Sequence, residues 1–194
     1  MNVQEILGEI DEKYPHGLSN SSLIRKINLV QNEVFRLTFK NPMLSIFSLI
    51  KGVHVYQVPF PRTNLLRAVV GGHDYSYQNI YHKSNHPYYY WIGNQVLAIN
   101  PTPKDDVADG LALFHYKYPI QVTEDDLDAV PELDEDFHML LVYGVLVQIC
   151  EVFQDTAMVN NYTGKYNALL EELQKIYDKM IDSPQIQNVW GLWG

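Results

Sequence analysis

Val3, Ile6, Leu7 and Ile10 recur at the spacing of a helix with one apolar face, and Pro15 ends that pattern by disfavouring α conformation at Tyr14. Ser19-Asn20-Ser21-Ser22 then offers several N-cap residues. Beyond them Leu23, Ile27, Val30, Val34 and Leu37 line one face, widened by Ile24 and Phe35, so a second helix is expected to stop near Asn41-Pro42. After Pro42 the period shortens. Val53-His54-Val55-Tyr56-Gln57-Val58 alternates up to Pro59, as a strand does. Leu65 to Val70, closed by Gly71-Gly72, and His73 to Tyr77 read as a strand and its return. Tyr88 to Ile92 and Gln95 to Ile99 flank Gly93-Asn94, whose composition suits a two-residue primed hairpin turn. Gly110 to Tyr118 adds another strand before Pro119. These short segments are expected to form a small antiparallel sheet or barrel.

Helical spacing resumes after the acidic stretch Val130-Pro131-Glu132-Leu133-Asp134-Glu135-Asp136-Phe137. Asp134, Glu135 and Asp136 suit a helix N-terminus, where carboxylates favour the macrodipole and accept from free N–H groups; a metal site is the sharper and weaker alternative. The helix they open is expected to run to about Gln154, and from Met139 to Ile149 it is apolar on nearly every side, the mark of a helix buried all round. After a break near Asp155-Thr156, Val159, Tyr162, Tyr166, Leu169, Leu170, Leu173, Ile176, Tyr177 and Met180 form a stripe to about Ile181, and Ser183-Pro184 ends it. The expected class is therefore α+β: an α-helical bundle of N-terminal helices plus two long C-terminal helices, with a small antiparallel β-sheet or barrel inserted. The expected boundaries are 1–42 for the N-terminal helices, 43–123 for the β region, 124–182 for the C-terminal helices and 183–194 for a docking tail.

Composition narrows the function. The chain has 194 residues, 46% of them apolar and 19% charged, enough for a sizeable core. Its formal net charge of −9, with the basic residues scattered apart from Arg25-Lys26, argues against a nucleic-acid reader, which needs clustered Lys and Arg. Such a wall still lets DNA pass without gripping it. The single cysteine, Cys150, excludes an internal disulfide and a cysteine zinc cluster, and its place in an apolar run suits a buried, inert thiol. Met1 to Glu5 lack the basic and apolar regions of a signal peptide, and the run from Met139 to Cys150 is too short to span a bilayer. Synthesis in the cytoplasm and no membrane association are expected.

Candidate chemistry is sparse, and the expectation is no catalytic, cofactor-binding or metal residue. His82 and His86 have the spacing of two zinc ligands on a helix, but Pro87 and the neighbouring tyrosines oppose a helix there, and the Glu that a metalloprotease needs is missing. Gly71-Gly72-His73-Asp74 and Lys104-Asp105-Asp106 are turn chemistry before they are acid–base pairs. A small metal-dependent hydrolase using His73, Asp74, His82 and His86 stands as the rival reading. The chain holds 14 tyrosines, and those between Tyr75 and Tyr90 suit half-buried strands and protein interfaces; base stacking lacks the basic neighbours it needs. A regulatory module that binds protein through this Tyr-rich sheet is a third reading. The tail from Gln185 to Gly194 has no period yet carries Trp190, Leu192 and Trp193. Each indole, at about 25 cal/mol per Å² over roughly 150–250 Å², contributes about 4–6 kcal/mol gross if buried. Packing back on its own chain and docking into a partner both remain open.

The succession Ile99-Asn100-Pro101-Thr102-Pro103, Phe114-His115-Tyr116-Lys117-Tyr118-Pro119 and Val130-Pro131-Glu132-Leu133-Asp134-Glu135-Asp136-Phe137, set between a helix pair and a two-helix end, resembles the head-to-tail adaptor proteins of tailed bacteriophages, including the tail tubular A proteins of short-tailed phages. The resemblance covers nearly the whole chain. It implies a structural, non-enzymatic virion protein at the head–tail junction. It also implies a homo-oligomeric ring, commonly twelvefold, that connects the phage portal protein to a tail or nozzle protein and gives a channel for DNA. On that reading Trp190, Leu192 and Trp193 are the portal-docking anchors.

Overall fold

The computed structural model describes residues 1–79 and 86–181. The chain divides into a helical unit made of its two ends, with Met1–Phe39 and the residues from Pro119 onward, and a sheet unit, Lys40–Tyr118.

The helical unit holds α1 (Val3–Lys13), α2 (Asn20–Thr38), α3 (His138–Val152) and α4 (Thr156–Ile181). Helix α1 opens with a capping box: Asn2 Oδ1 accepts from the Glu5 N–H at 2.8 Å and Glu5 Oε2 accepts from the Asn2 N–H at 2.9 Å. Its next free N–H groups, on Val3 and Gln4, donate to the carbonyls of Ala129 and Leu127 at 2.9 and 3.0 Å. The chain returning from the sheet unit is strapped to α2 by side-chain amides. Asn28 exchanges two bonds of 2.9 Å with the Val122 backbone, and Gln31 Nε2 donates to the Ile120 carbonyl at 2.8 Å. Helix α3 packs against α1, α2 and α4, and nine of its fifteen residues are buried, as an all-round apolar helix requires. Cys150 lies among them, where burial pushes its thiol above the ordinary range. The close approach is at Gly144: a Cβ there would stand 2.5 Å from Val30 Cγ1 and 3.2 Å from Tyr166 Cε2.

One expectation, at the start of α3, is revised. Asp134 to Asp136 do not cap it. They lead through a short 3₁₀ turn, Glu135–Phe137, no acidic residue falls in the first turn of α3, and Asp134 Oδ2 accepts from the Tyr177 hydroxyl at 3.1 Å. The buried His138 opens α3 instead, its Nε2–H donating to the Leu133 carbonyl at 2.7 Å while Nδ1 accepts from the Met1 amine at 2.8 Å. At the other end the Asp155 N–H donates to the Cys150 carbonyl at 3.0 Å and the Gln154 N–H to that of Glu151 at 3.1 Å, a Schellman closure. It forces a left-handed backbone on Gln154, φ 57°. Asp155 then caps α4, its Oδ1 accepting from the Met158 N–H at 3.1 Å.

The sheet unit has seven strands: β1 (Pro42–Leu49), β2 (Val55–Gln57), β3 (Leu65–Val70), β4 (His73–Tyr77), β5 (Tyr88–Trp91), β6 (Val96–Asn100) and β7 (Val107–Tyr116), in the spatial order β1-β7-β3-β4-β5-β6-β2. All pairs are antiparallel except β4 and β5. The α+β class holds, but the expected helical bundle with a small inserted antiparallel sheet does not: the sheet curls into a half-barrel with a parallel pair. The reason is a second core. Val58, Phe60, Ala68, Leu97, Ile99, Leu111 and Leu113 are nearly all inaccessible and pack on one another inside the curl.

The expected Gly93-Asn94 two-residue turn is also corrected. The Ile92 N–H donates to the Val96 carbonyl at 3.0 Å around Gly93, Asn94 and Gln95, and neither Gly93 nor Asn94 has positive φ. The primed turn is Gly71-Gly72, φ 56° and 81°, where Val70 pairs with His73. Strand β1 begins at the edge of the expected β region, 43–123, but no strand of its own is expected there, because its apolar side chains do not alternate with polar ones.

Among the described residues one buried polar side chain, His115, sits in the sheet core. His115 stacks on Phe60 with ring centroids 3.8 Å apart, its Nδ1–H donates to the Tyr116 carbonyl at 2.8 Å, and Nε2 accepts from the Ser45 hydroxyl at 2.9 Å. That arrangement uses the neutral ring, and burial pushes the His115 pKa below its ordinary value against the smaller opposing effect of the Tyr116 carbonyl.

Gly144→Ala tests the close approach. An added Cβ in a helix ordinarily gains about 1 kcal/mol, but here it meets the stiff, β-branched Val30, and overpacking of about 1–3 kcal/mol wins. Chemical denaturation is expected to show net destabilisation. Gln154→Gly relieves the left-handed backbone and is expected to raise stability by about 0.5–1 kcal/mol in the same assay. For His115, the unfolded chain takes up its proton at the ordinary value and the folded chain resists it until lower pH. The stabilisation from the neutral ring is therefore whole above about pH 6.5 and is lost as pH falls through the depressed folded value. Between pH 8 and pH 5 the unfolding temperature of the wild type is expected to drop further than that of His115→Gln.

Candidate interaction surfaces

Register assigns the faces of the sheet. Residues directly opposite in antiparallel strands share a face, so the inward Leu111, Leu113 and His115 turn Phe47, Ser45 and Met43 to the same side. Leu44 and Ile46 then lie on the outer face with Phe114 and Ala112 of β7, Arg67 and Val69 of β3, and Asp74 of β4. There the Arg67 guanidinium grips the Asp74 carboxylate through two N–H groups, one at 2.7 Å, and lies 5.7 Å over the Phe114 ring. The hydrogen bond from Arg67 holds the Asp74 carboxyl below its usual range. Both charges are thus matched on the sheet itself. Beside them Leu44 and Ile46 stay 49% and 51% exposed.

Among the described residues strand β1 is an edge, paired only with β7, and from Asn41 to Ile50 the chain carries no Asp, Glu, Lys or Arg. The other edge, β2, lies in a second stretch free of those residues, Gly52 to Pro61, with Val53 and Val55 exposed. Proteins ordinarily guard such edges with charge, a bulge or a cover. β1 has only a register shift near its end, between Phe47 and Leu49. That length of uncharged chain is the sequence signal for β1, which carries no alternation.

The residues singled out from the sequence do not converge. His73 and Asp74 sit on β4 with Asp74 engaged by Arg67, and His82 lies outside the described residues, as do Trp190, Leu192 and Trp193. Among the described residues no group of three or more His, Cys, Asp or Glu is placed to hold a metal ion. Asp106 serves a turn, its Oδ1 accepting from the Lys51 N–H at 2.7 Å. The tyrosines form ring pairs along the strands, Tyr77 with Tyr89 at 5.8 Å and Tyr88 with Tyr90 at 6.0 Å, and burial pushes the Tyr75 and Tyr89 phenols up. Tyr75, Tyr88, Tyr89 and Tyr90 are half-buried sheet residues with polar tips, and Tyr77 is exposed. No helix among the described residues is long and apolar enough to cross a membrane.

The family model described as SU10 adaptor protein matches residues 1–187, and the chain belongs to that family of phage head-to-tail adaptors. No curated protein matches the chain. The match ends before Trp190, so Trp190, Leu192 and Trp193 lie beyond it.

Proposed function

We propose that this phage structural adaptor forms a ring between the portal and the tail, completes the head and leaves a channel through which DNA passes. The observation that carries the reading is the family match across residues 1–187. Three features support it. The helical unit is built from both ends of the chain around a helix buried on nearly all sides, which makes a stiff body for side-by-side packing. The charge of −9 suits a passage that DNA slides through without being held. Exposed apolar side chains on the sheet unit, such as Leu44 and Ile46, are suited to protein contacts, and many modest contacts sum around a closed ring.

In this reading Trp190, Leu192 and Trp193 dock into the portal, and the ring is twelvefold. The protein acts by assembly rather than catalysis, and the sheet unit faces a tail or nozzle protein or a neighbouring copy. Aromatic anchors of this kind carry most of an interface's affinity when they fill a pocket.

Deletion of Gln185 to Gly194 is expected to abolish co-sedimentation with purified portal rings while leaving the unfolding temperature in place. Trp190→Ala with Trp193→Ala is expected to weaken binding in the same direction. Truncated protein that still sediments fully with portal would sink the docking role of the tail, and electron micrographs of the wild type on portal without a ring of subunits would sink the ring.

A further inference from the structure

The half-barrel is open between β1 and β2. Its curl brings Phe47 and Tyr56 within 6.5 Å inside the core, yet no backbone ladder joins the two strands. Among the described residues each therefore carries a row of N–H and C=O groups with no strand beside it, and each lies in a stretch of chain without Asp, Glu, Lys or Arg. Hydrogen-bond capacity at a strand edge is self-complementary, so another strand edge satisfies it.

Which edge follows from charge and from face. Copies of a chain with a net charge of −9 repel one another, and they meet at least cost where neither presents charge. The edges of β1 and β2 both meet that condition. They also match in face. Val55 pairs with Ala98, on the side of the sheet opposite to the inward Tyr56 and Leu97, so it points outward as Leu44 and Ile46 do. A strand β2 laid along β1 continues the outer face with Val55 beside Leu44 and Ile46, and all three are at least a third exposed in the single copy. Because β1 and β2 are different surfaces, their contact is head-to-tail, the kind that closes rings rather than pairs.

We propose that β1 of one copy pairs with β2 of the next, so that the sheets of neighbouring copies join edge to edge. This inference rests on the ring reading above and names the contact that builds the ring. The three exposed side chains become covered, and the edges of the half-barrel are closed by the neighbour instead of by the chain itself.

Two experiments on the full chain test it. In the first, Leu44→Lys with Ile46→Lys, and separately Val55→Lys, are added to purified portal and viewed by electron microscopy, with thermal unfolding as the check on folding. Loss of rings by both variants at an unchanged unfolding temperature supports the edge contact. Rings like those of the wild type overturn it and leave the ring reading standing, as do complete rings that fail only to bind the tail. A wild type that forms no ring removes the ring reading and this inference together.

In the second, Ile46→Cys and Val55→Cys copies are mixed and treated with a bifunctional maleimide; the one native thiol, Cys150, is buried. Linked dimers that appear only in the mixture support head-to-tail pairing. Dimers from Ile46→Cys alone indicate a twofold β1–β1 contact and overturn it, and so does the absence of any linked dimer. The cross-link needs no charged substitution, so it decides the matter even if the lysine variants fail to fold.

Discussion

A fifteen-residue helix that is apolar on nearly every side has no face to give to water, and the helical unit is arranged around that constraint. α3 needs neighbours on several sides, and one stretch of chain cannot supply them all. The partners come from α1 and α2 before the sheet and from α4 after it. The cost is a unit discontinuous in sequence, whose chain leaves at Phe39 and returns at Pro119. The return is held by Asn28 and Gln31, side-chain amides that pair with backbone groups of Ile120 and Val122 where no helix or sheet provides a partner. Gly144 lets α2 and α4 close on α3; a methyl group there would stand inside contact distance of both Val30 and Tyr166.

The sheet unit meets the same need differently. Its apolar side chains turn into the curl, the buried His115 is satisfied as a neutral ring, and its outer-face charges at Arg67 and Asp74 are matched to each other. What remains unmatched is the edge. A half-barrel with two uncharged edges is a less finished object than the helical unit, and membership of a phage adaptor family gives that lack a sense, because an assembling protein keeps surfaces for its neighbours. Stability is concentrated inside each unit, and in the proposed reading assembly falls to the uncovered strand edges.

Some of this was legible in the chain. Val3, Ile6, Leu7 and Ile10 are all buried in α1, and the stripe from Leu23 to Phe35 is the buried face of α2, because helical period and burial are the same fact seen twice. Gly71-Gly72 could be read as a turn because two residues with positive φ leave little else possible. Gly93-Asn94 misled for the same reason in reverse: its composition permits a primed turn, but pairing Ile92 with Val96 around Gln95 does not require one. β1 escaped because an edge strand with apolar side chains on both faces has no period to detect. Asp134 to Asp136 had the composition of a cap without its position, and one 3₁₀ turn ahead of α3 was enough to displace them.

By itself the sequence determined the helices, the approximate place of most strands, the α+β class and the resemblance to phage head-to-tail adaptors, since these depend on local period, on breakers and on the order of segments. The tertiary structure alone decided that the β region closes on a core of its own, that β4 and β5 run parallel, and which strands are edges. Those depend on pairings between residues far apart in the chain, such as Leu44 with Phe114 or Val55 with Ala98. No local pattern records such pairings, because the free energy that selects them comes from burying one distant segment against another.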